Sequence, residues 1–278
     1  MNSESSRLAP VRGPGARCHE QDSRSYTLFG VKVAAAPRDE LMRLIFGWAR
    51  EGRSRVVCFS DAHAIVRAHD DHNMRHALTN ADMVAPDGFP VALAGRLLHG
   101  RSVERLSGPD MLAMTPTHPA AAGLRHYFYG GAPGVAEQLA DRLRRINSDF
   151  IVAGIQSPPM RTLTADEAEE SFLQIRKARP DMLWVALGAP KQEIWMAKNR
   201  DRLPGIVMLG VGAAFDFETG RVRRAPLWMR RIGMEWLFRF LREPQRLGQR
   251  YLRVVPRFIY LLLREAVTMR QRRADPAN

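Results

Sequence analysis

The chain has 278 residues, of which 45% are hydrophobic, and a formal net charge of +13 at pH 7. This length can bury one substantial core, and the composition excludes a disordered or fibrous protein. Two cysteines, Cys18 and Cys58, make no disulfide framework, and no stretch reaches the roughly 18 uninterrupted apolar residues of a membrane span, so we expect a reducing compartment and no transmembrane helix.

The first 25 residues are polar and lack the apolar stretch that a signal peptide requires. They offer few apolar side chains that folding could bury. We therefore predict that residues 1–25 form a disordered N-terminal segment and that the folded domain begins at residue 26.

Residues 26–220 alternate between short apolar runs that end in turn residues and longer segments with helical spacing. The helical segments, 133–147 and 164–180, repeat apolar residues every three or four positions and carry acids near their start. The strand-like runs are 55–63, 124–134, 150–159, 181–190 and 205–217. This alternation predicts an α/β, Rossmann-like fold with a mainly parallel sheet covered by helices, in which ligands bind beyond the carboxyl ends of the strands.

The basic character of the chain is concentrated after Gly220. Residues 221–278 contain 15 arginines, no lysine and 4 acidic residues, a net charge of +11, whereas the preceding 220 residues carry only +2. Aromatic and aliphatic residues lie between these arginines, and Pro226, Pro244 and Pro256 are expected to divide the segment into short helices. We predict that residues 221–278 form a basic, amphipathic, helical appendage that associates with a membrane.

Gly130 and Gly131 follow a predicted strand and precede a helix, which suits either phosphate binding through backbone N–H groups or a plain tight turn. The pattern is neither the GxGxxG nor the P-loop fingerprint, and no cofactor is predicted.

His69, His72 and His76 have the spacing of one helix face. No second group of ligands at zinc spacing accompanies them, so we predict a solvated face and no metal.

Asp87, in the segment VAPDGFP, is either a turn residue or a functional carboxylate. Arg105 follows in the loop ERLSGPD, and Gln192 begins a helix after a strand in GAPKQE. These motifs occur in a fixed order with three others: YGG, GVGAAFDF and RAPLWMRRIGMEWLFRFLREPQR. Together they form a signature that resembles the WecG/TagA/CpsF family of bacterial glycosyltransferases from about Val33 to Tyr251.

The resemblance implies an inverting, metal-independent transferase that moves a sugar from a UDP-sugar to a polyprenyl-diphosphate-linked saccharide. It implies catalytic roles for Asp87, as general base, and for Arg105 and Gln192. Further candidates for binding the substrates are Ser60, Asp61, Gly130, Gly131, Asp216, Arg224, Arg231, Arg239 and Arg242. Because the chain has no Asp-x-Asp pair for a divalent cation, arginines are expected to neutralise the leaving diphosphate.

One motif departs from the family pattern. The family commonly shows Thr-x-Asn at the end of the first strand, where this chain has Phe59, Ser60 and Asp61. Phe59 cannot replace a hydroxyl group, so that contact is lost or passes to Ser60. Asp61 is also a rival to Asp87 as the base, and the choice depends on which carboxylate reaches the proton of the acceptor hydroxyl.

The basic tail has three interpretations: a packed helical subdomain, a nucleic-acid-binding segment, or an interfacial segment on anionic lipid. Its leucines and aromatic residues favour lipid, and the resemblance implies that its arginines complete the active site.

We interpret the chain as a cytoplasmic transferase of exopolysaccharide, capsule or teichoic acid assembly. It would be peripherally attached to the inner face of the cell membrane and would bind no nucleic acid. Self-association stays an open alternative, as does a nucleic-acid-binding protein with a degenerate Rossmann domain.

Overall fold

The computed structural model describes residues 24–274, so most of the predicted disordered segment, including Cys18, lies outside the described residues. The strands are β1 (Ser25–Leu28), β2 (Val31–Ala34), β3 (Arg55–Ser60), β4 (Met83–Pro86), β5 (Arg125–Gly130), β6 (Ile151–Gln156), β7 (Met182–Ala186) and β8 (Val207–Gly210). The α-helices are α1 (Arg38–Arg50), α2 (Ala62–Asp70), α3 (His72–Thr79), α4 (Phe89–His99), α5 (Gly108–Met114), α6 (Val135–Ile146), α7 (Ala165–Ala178), α8 (Lys191–Asn199), α9 (Ala214–Glu218), α10 (Leu227–Arg231), α11 (Glu235–Arg242) and α12 (Pro244–Ala274).

Within residues 24–274, six strands form one sheet in the order β4-β3-β8-β7-β5-β6. Every neighbouring pair in this sheet is parallel. Each of the five strand-like runs contains one of these strands, and the two predicted helices correspond to α6 and α7. The predicted α/β fold with a parallel sheet is therefore confirmed.

Both faces of the sheet are covered. Val56 and Cys58 of β3 belong to one cluster of buried residues, and Val57 and Phe59 belong to the other. Successive side chains of a strand point to opposite faces, so these two clusters are the two layers of core between sheet and helices. Burial on both faces explains why the sequence shows continuous apolar runs there rather than alternation.

A separate antiparallel hairpin of β1 and β2 precedes the sheet. Its two-residue turn consists of Phe29 and Gly30, both at positive φ (51° and 86°). Such a turn matches the twist of a hairpin, but positive φ is unfavourable for phenylalanine. The sequence pattern does not predict this hairpin, because Phe-Gly is not among the usual turn pairs.

The C-terminal segment packs on the domain through this hairpin. On α12, Phe258 and Leu261 are buried, and the Phe258 ring meets the Phe29 ring edge-on with centroids 5.4 Å apart. The Phe29 backbone N–H donates to the Glu265 carboxylate over 3.0 Å, and burial raises the pKa of Glu265. The segment therefore shares the core of the domain, and the predicted boundary near residue 220 stays a prediction.

Two local predictions about helices were wrong. Pro226 precedes α10 and Pro244 begins α12, but Pro256 lies inside α12, which runs without interruption from Pro244 to Ala274. A proline inside a helix costs about 3 kcal/mol. Phe258 and Leu261 are buried beyond it, and their packing outweighs that cost.

The histidines of residues 69–76 are divided between two helices. The first helix, α2, ends at Asp70, and the Asp71 carboxylate caps α3 by accepting from the backbone N–H groups of Asn73 and Met74. The expected single helix face was wrong because this capping carboxylate starts a new helix.

We expect Phe258→Ala to lower the free energy of unfolding of the whole chain by about 3 kcal/mol, the usual cost of removing a buried phenylalanine ring. Urea unfolding followed by circular dichroism measures this. Leu263→Ala, an exposed position of the same helix, is the matched control and should change the free energy by less than about 0.5 kcal/mol. Equal effects of the two substitutions would show that α12 does not pack on the domain.

Candidate active site

The carboxyl ends of several strands open into one cleft of about 820 Å³. Asp61 follows β3, Asp87 follows β4, Gln192 begins α8 after β7, and Gly212 follows β8; all four line the cleft. The C-terminal segment forms the opposite wall. The three residues predicted to be catalytic, together with Asp61, are thus brought together at the edge of the sheet where ligands of such folds bind.

Asp87 is partly buried. Its contacts show whether it is only a turn residue or also a carboxyl group of the cleft. Its backbone N–H donates to the Ser60 carbonyl over 3.1 Å, which joins the ends of β3 and β4. The N-cap of α4 is Gly88, and no side chain caps that helix. The Asp87 carboxyl group is therefore not used to start the helix, and it faces the cleft.

The environment of Asp87 favours its neutral form. Burial raises its pKa to about 7, and the negative charges of Asp61, Glu235 and Asp110 act in the same direction, whereas the Arg105 guanidinium opposes the rise. A carboxyl group with such a pKa can both accept and release a proton near neutral pH.

Asp61 has a different environment. Its carboxylate caps α2 by accepting from the Ala64 N–H over 2.9 Å. A Cβ atom built on Gly88 would lie 3.5 Å from the Asp61 Cβ, so the two loops touch. Ser60 is fully buried, does not line the cleft, and its Oγ has no hydrogen-bond partner among the described residues.

Arg105 belongs to an ion-pair network that links the domain to the C-terminal segment. Its guanidinium contacts Asp110 and Glu235, each over 2.9 Å. Arg224 contacts the same two carboxylates, over 2.8 Å and 3.1 Å, and donates to the Ser107 hydroxyl. Although burial alone would raise it, Arg224 and Arg105 hold the pKa of Asp110 below its ordinary value. Each charge has at least two partners, and Asp110 has a third in Arg230, over 3.4 Å; these partners offset the cost of removing the charges from water.

Gln192 is buried, and both ends of its amide are engaged. Its Nε2 donates to Glu193 Oε1, and its Oε1 accepts from the Gly212 N–H, each over 2.9 Å. Glu193 is also buried and lines the cleft, and burial raises its pKa. These bonds fix the Gln192 side chain between the ends of β7 and β8.

Several predicted binding residues do not line the cleft: Ser60, Gly130, Gly131, Asp216, Arg231 and Arg242. A Cβ atom on Gly130 would lie 2.5 Å from the Ala186 carbonyl oxygen, so glycine there permits close packing of β5 on β7. Asp216 lies 3.9 Å from Arg221, Arg242 stacks on Phe238, and Arg231 is exposed.

Of the predicted tail arginines, Arg224 and Arg239 line the cleft. Arg250 also lines it and was not predicted; its Nε is buried and has no hydrogen-bond partner among the described residues. Glu235 and Glu193 were missed as well. The motifs that contain them, MEWLF and GAPKQE, were noted, but the pattern alone does not show which of their side chains turn towards the cleft.

No group of three or more His, Cys, Asp or Glu side chains that could hold a metal ion is found in the part of the chain that the structure describes. The same residues include no helix that is both long and apolar enough to span a membrane.

The raised pKa of Asp87 predicts how stability depends on pH. The folded chain keeps the Asp87 proton up to about pH 7, whereas the unfolded chain releases it near 3.8. Between these values the folded state binds more protons, so the native chain loses stability as pH rises. We expect Asp87→Asn to match the native chain in stability at about pH 4 and to exceed it at about pH 8, by at most about 4 kcal/mol.

Urea unfolding at both pH values measures this difference. The exposed Asp149 supplies a control, since Asp149→Asn should change stability equally at both. A native chain and an Asp87→Asn variant that differ by the same amount at both pH values would contradict the raised pKa.

The chain is similar to known proteins along most of its length. The model of the glycosyl transferase WecG/TagA/CpsF family matches residues 26–272. The N-acetylglucosaminyldiphosphoundecaprenol N-acetyl-beta-D-mannosaminyltransferase of Bacillus spizizenii is 31% identical over 187 residues, which cover 67% of this chain and 70% of that protein. The protein of the same name from Bacillus subtilis is 30% identical over 197 residues, which cover 70% of this chain and 73% of that protein. The resemblance inferred from the motifs is confirmed: the chain belongs to the WecG/TagA/CpsF family and is a glycosyltransferase.

Proposed function

We propose that the chain transfers a sugar, with inversion, from a UDP-sugar to a polyprenyl-diphosphate-linked saccharide during surface polysaccharide assembly. The observation that carries the proposal is the Asp87 carboxyl group, with a pKa of about 7, in a cleft whose opposite wall carries arginines. Both relatives are named for a diphosphoundecaprenol-linked acceptor and an N-acetylmannosaminyl group. UDP-N-acetylmannosamine is therefore the first donor to test.

In the proposed mechanism Asp87 is the general base. The acceptor hydroxyl gives its proton to the Asp87 carboxylate as its oxygen attacks the anomeric carbon. The bond from that carbon to the diphosphate breaks on the opposite face, and its electron pair leaves with UDP. A base whose pKa is near the working pH combines a useful ionised fraction with enough basicity to take the proton.

Asp61 is less suited to this role. Its carboxylate already accepts the helix-capping bond from Ala64. Its proposed task is electrostatic, because its negative charge helps to keep the pKa of Asp87 high.

Arg105 and Arg224 are proposed to stabilise the departing diphosphate. Arg105 and Arg224 each face two carboxylates, so they also hold the C-terminal wall in place. Arg239 and Arg250 line the same cleft from α11 and α12. Guanidinium groups suit a diphosphate because they donate two parallel hydrogen bonds.

A screen of UDP-sugars for UDP release, with an N-acetylglucosaminyl polyprenyl diphosphate as acceptor, tests the proposed function. We expect release with one donor only in the presence of acceptor, and unchanged release when EDTA is added. The absence of acceptor-dependent release with every donor would contradict the function. Loss of release with EDTA, and its recovery with magnesium, would contradict a metal-independent reaction.

With the donor identified, we expect Asp87→Asn to lower kcat by about two to four orders of magnitude, the usual loss when a general base is removed. Binding of UDP should persist, as measured by calorimetry. The matched variant Asp61→Asn should lose less activity. A greater loss in Asp61→Asn than in Asp87→Asn would move the role of base to Asp61.

We also propose that the C-terminal segment attaches the enzyme to an anionic membrane. It carries a net charge of +11, and apolar side chains such as Leu241 and Leu252 are 68% and 77% exposed beside exposed arginines. Basic and apolar groups exposed side by side are typical of segments that lie in a membrane interface.

Arg231, Arg242 and Arg253 are exposed, and each arginine near an anionic surface contributes about 1 kcal/mol. We expect the triple substitution of these residues by Gln to weaken sedimentation with phosphatidylserine vesicles roughly a hundredfold. Point substitutions are preferable to truncation because the segment buries Phe258 and Leu261 in the core.

The control variant replaces Arg43, Arg144 and Arg145, which are exposed on the domain, and should sediment like the native chain. Equal losses of vesicle sedimentation in both variants would show that the total charge of the protein, rather than the surface of the C-terminal segment, determines binding. Tighter binding to duplex DNA than to vesicles at physiological salt would support nucleic-acid binding instead.

A further inference from the structure

A second cavity lies between α11 and α12. It has a volume of about 360 Å³ and an apolar wall formed mainly by Trp236, Phe240, Tyr251, Leu252, Val255 and Pro256. Three of these residues, Trp236, Tyr251 and Val255, also line the large cleft. The apolar cavity and the candidate active site are therefore neighbours that share a wall.

The apolar cavity is open to its surroundings. Leu252 is exposed, and Trp236 and Val255 are each about half exposed, at 49% and 46%. An open apolar surface of this kind is unfavourable in water and marks a place where an apolar partner binds.

Cations lie on the cleft side of the shared wall. On α11, Arg239 lines the cleft and the next residue, Phe240, lines the apolar cavity. On α12, Arg250 lines the cleft, and its neighbour Tyr251 borders both. The buried Nε of Arg250 has no hydrogen-bond partner among residues 24–274. The two helices thus present donors for an anion directly beside an apolar cavity.

We propose that the apolar cavity binds the isoprene units next to the diphosphate of the acceptor lipid. This proposal rests on the proposed function, which requires a molecule with a diphosphate joined directly to an isoprenyl chain. An apolar cavity of about 150 Å³ accommodates benzene, which has six carbon atoms, so the volume suits roughly two five-carbon isoprene units. The diphosphate would lie at Arg239 and Arg250, and the chain would continue outward past Leu252.

Gly248 supports this assignment. It lies within α12 and lines the apolar cavity, and its φ is not in the positive region. A Cβ atom there would meet Phe240 at 3.7 Å, an ordinary contact. Glycine weakens a helix interior, and neither backbone geometry nor crowding requires it here. Its effect is to leave the cavity open, and a leucine side chain would fill it.

The test uses the full-length chain and the substitution Gly248→Leu, with farnesyl diphosphate and inorganic diphosphate as probes in calorimetry. We expect the native chain to bind farnesyl diphosphate at least about tenfold more tightly than inorganic diphosphate, because isoprene carbons are buried. In Gly248→Leu that advantage should disappear. Gly47→Leu is the matched control, since Gly47 is also helical, has open space for a Cβ atom, and lines neither cavity; it should keep the advantage.

Three results would overturn the proposal. Gly248→Leu could bind farnesyl diphosphate as the native chain does. If the variant with unchanged binding of farnesyl diphosphate no longer sedimented with phosphatidylserine vesicles, the cavity would be assigned to a bilayer acyl chain. Gly248→Leu could change the sedimentation coefficient of the free protein, which would assign the cavity to a second copy of the chain. Because these measurements need no turnover, a native chain that binds farnesyl diphosphate but transfers no sugar would contradict the proposed function and not the cavity.

Discussion

The ion pairs of Arg105 and Arg224 with Asp110 and Glu235 are the interaction on which the cleft depends. Arg105 and Asp110 belong to the domain, whereas Arg224 and Glu235 belong to the C-terminal segment. All four side chains are largely buried, so each loses hydration that only its partners replace. Removing one arginine would leave two carboxylates short of a partner and would weaken the attachment of the cleft wall to the domain.

The same network reaches the candidate base. Burial is the main cause of the raised pKa of Asp87, but Glu235 and Asp110 raise it further and Arg105 lowers it. Glu235 is part of the C-terminal segment, so the position of that segment affects the charge of Asp87, which follows β4. The C-terminal segment therefore contributes to the proton affinity of Asp87.

The sequence was sufficient to predict the parallel sheet, and the family resemblance implied a shared site for Asp87, Arg105 and Gln192. Five strands could be identified from continuous apolar runs, and parallel strands place their carboxyl ends on one edge whatever the strand order. The sixth strand of the sheet, β4, is not among these runs, and the two strands of the hairpin were missed because the Phe29-Gly30 turn has no usual signature. The prediction that Pro256 interrupts a helix was wrong because helix propensity is a local property. It does not include the packing of Phe258 against the domain.

Which arginines line the cleft could not be predicted from the sequence, for a related reason. The partner of Arg105, Glu235, is 130 positions away in the chain. Arginine side chains are long, and their direction is set by such distant partners rather than by helical spacing. The glycines of the YGG turn show the same limit, since only the close approach of Gly130 to Ala186 distinguishes a packing role from a phosphate site.

Five arginines of the C-terminal segment fall into three groups with different surroundings. Arg224 pairs with buried acids, Arg239 and Arg250 line the cleft, and Arg231 and Arg242 are exposed. The arginines behind the net charge of +11 therefore differ in their surroundings, and geometry separates them. If the exposed group meets an anionic bilayer, the cleft and the apolar cavity lie on the same two helices as that surface. A lipid-linked acceptor could then reach the arginines of the cleft while its chain stays among apolar groups, so no charged group would have to cross an apolar layer during binding.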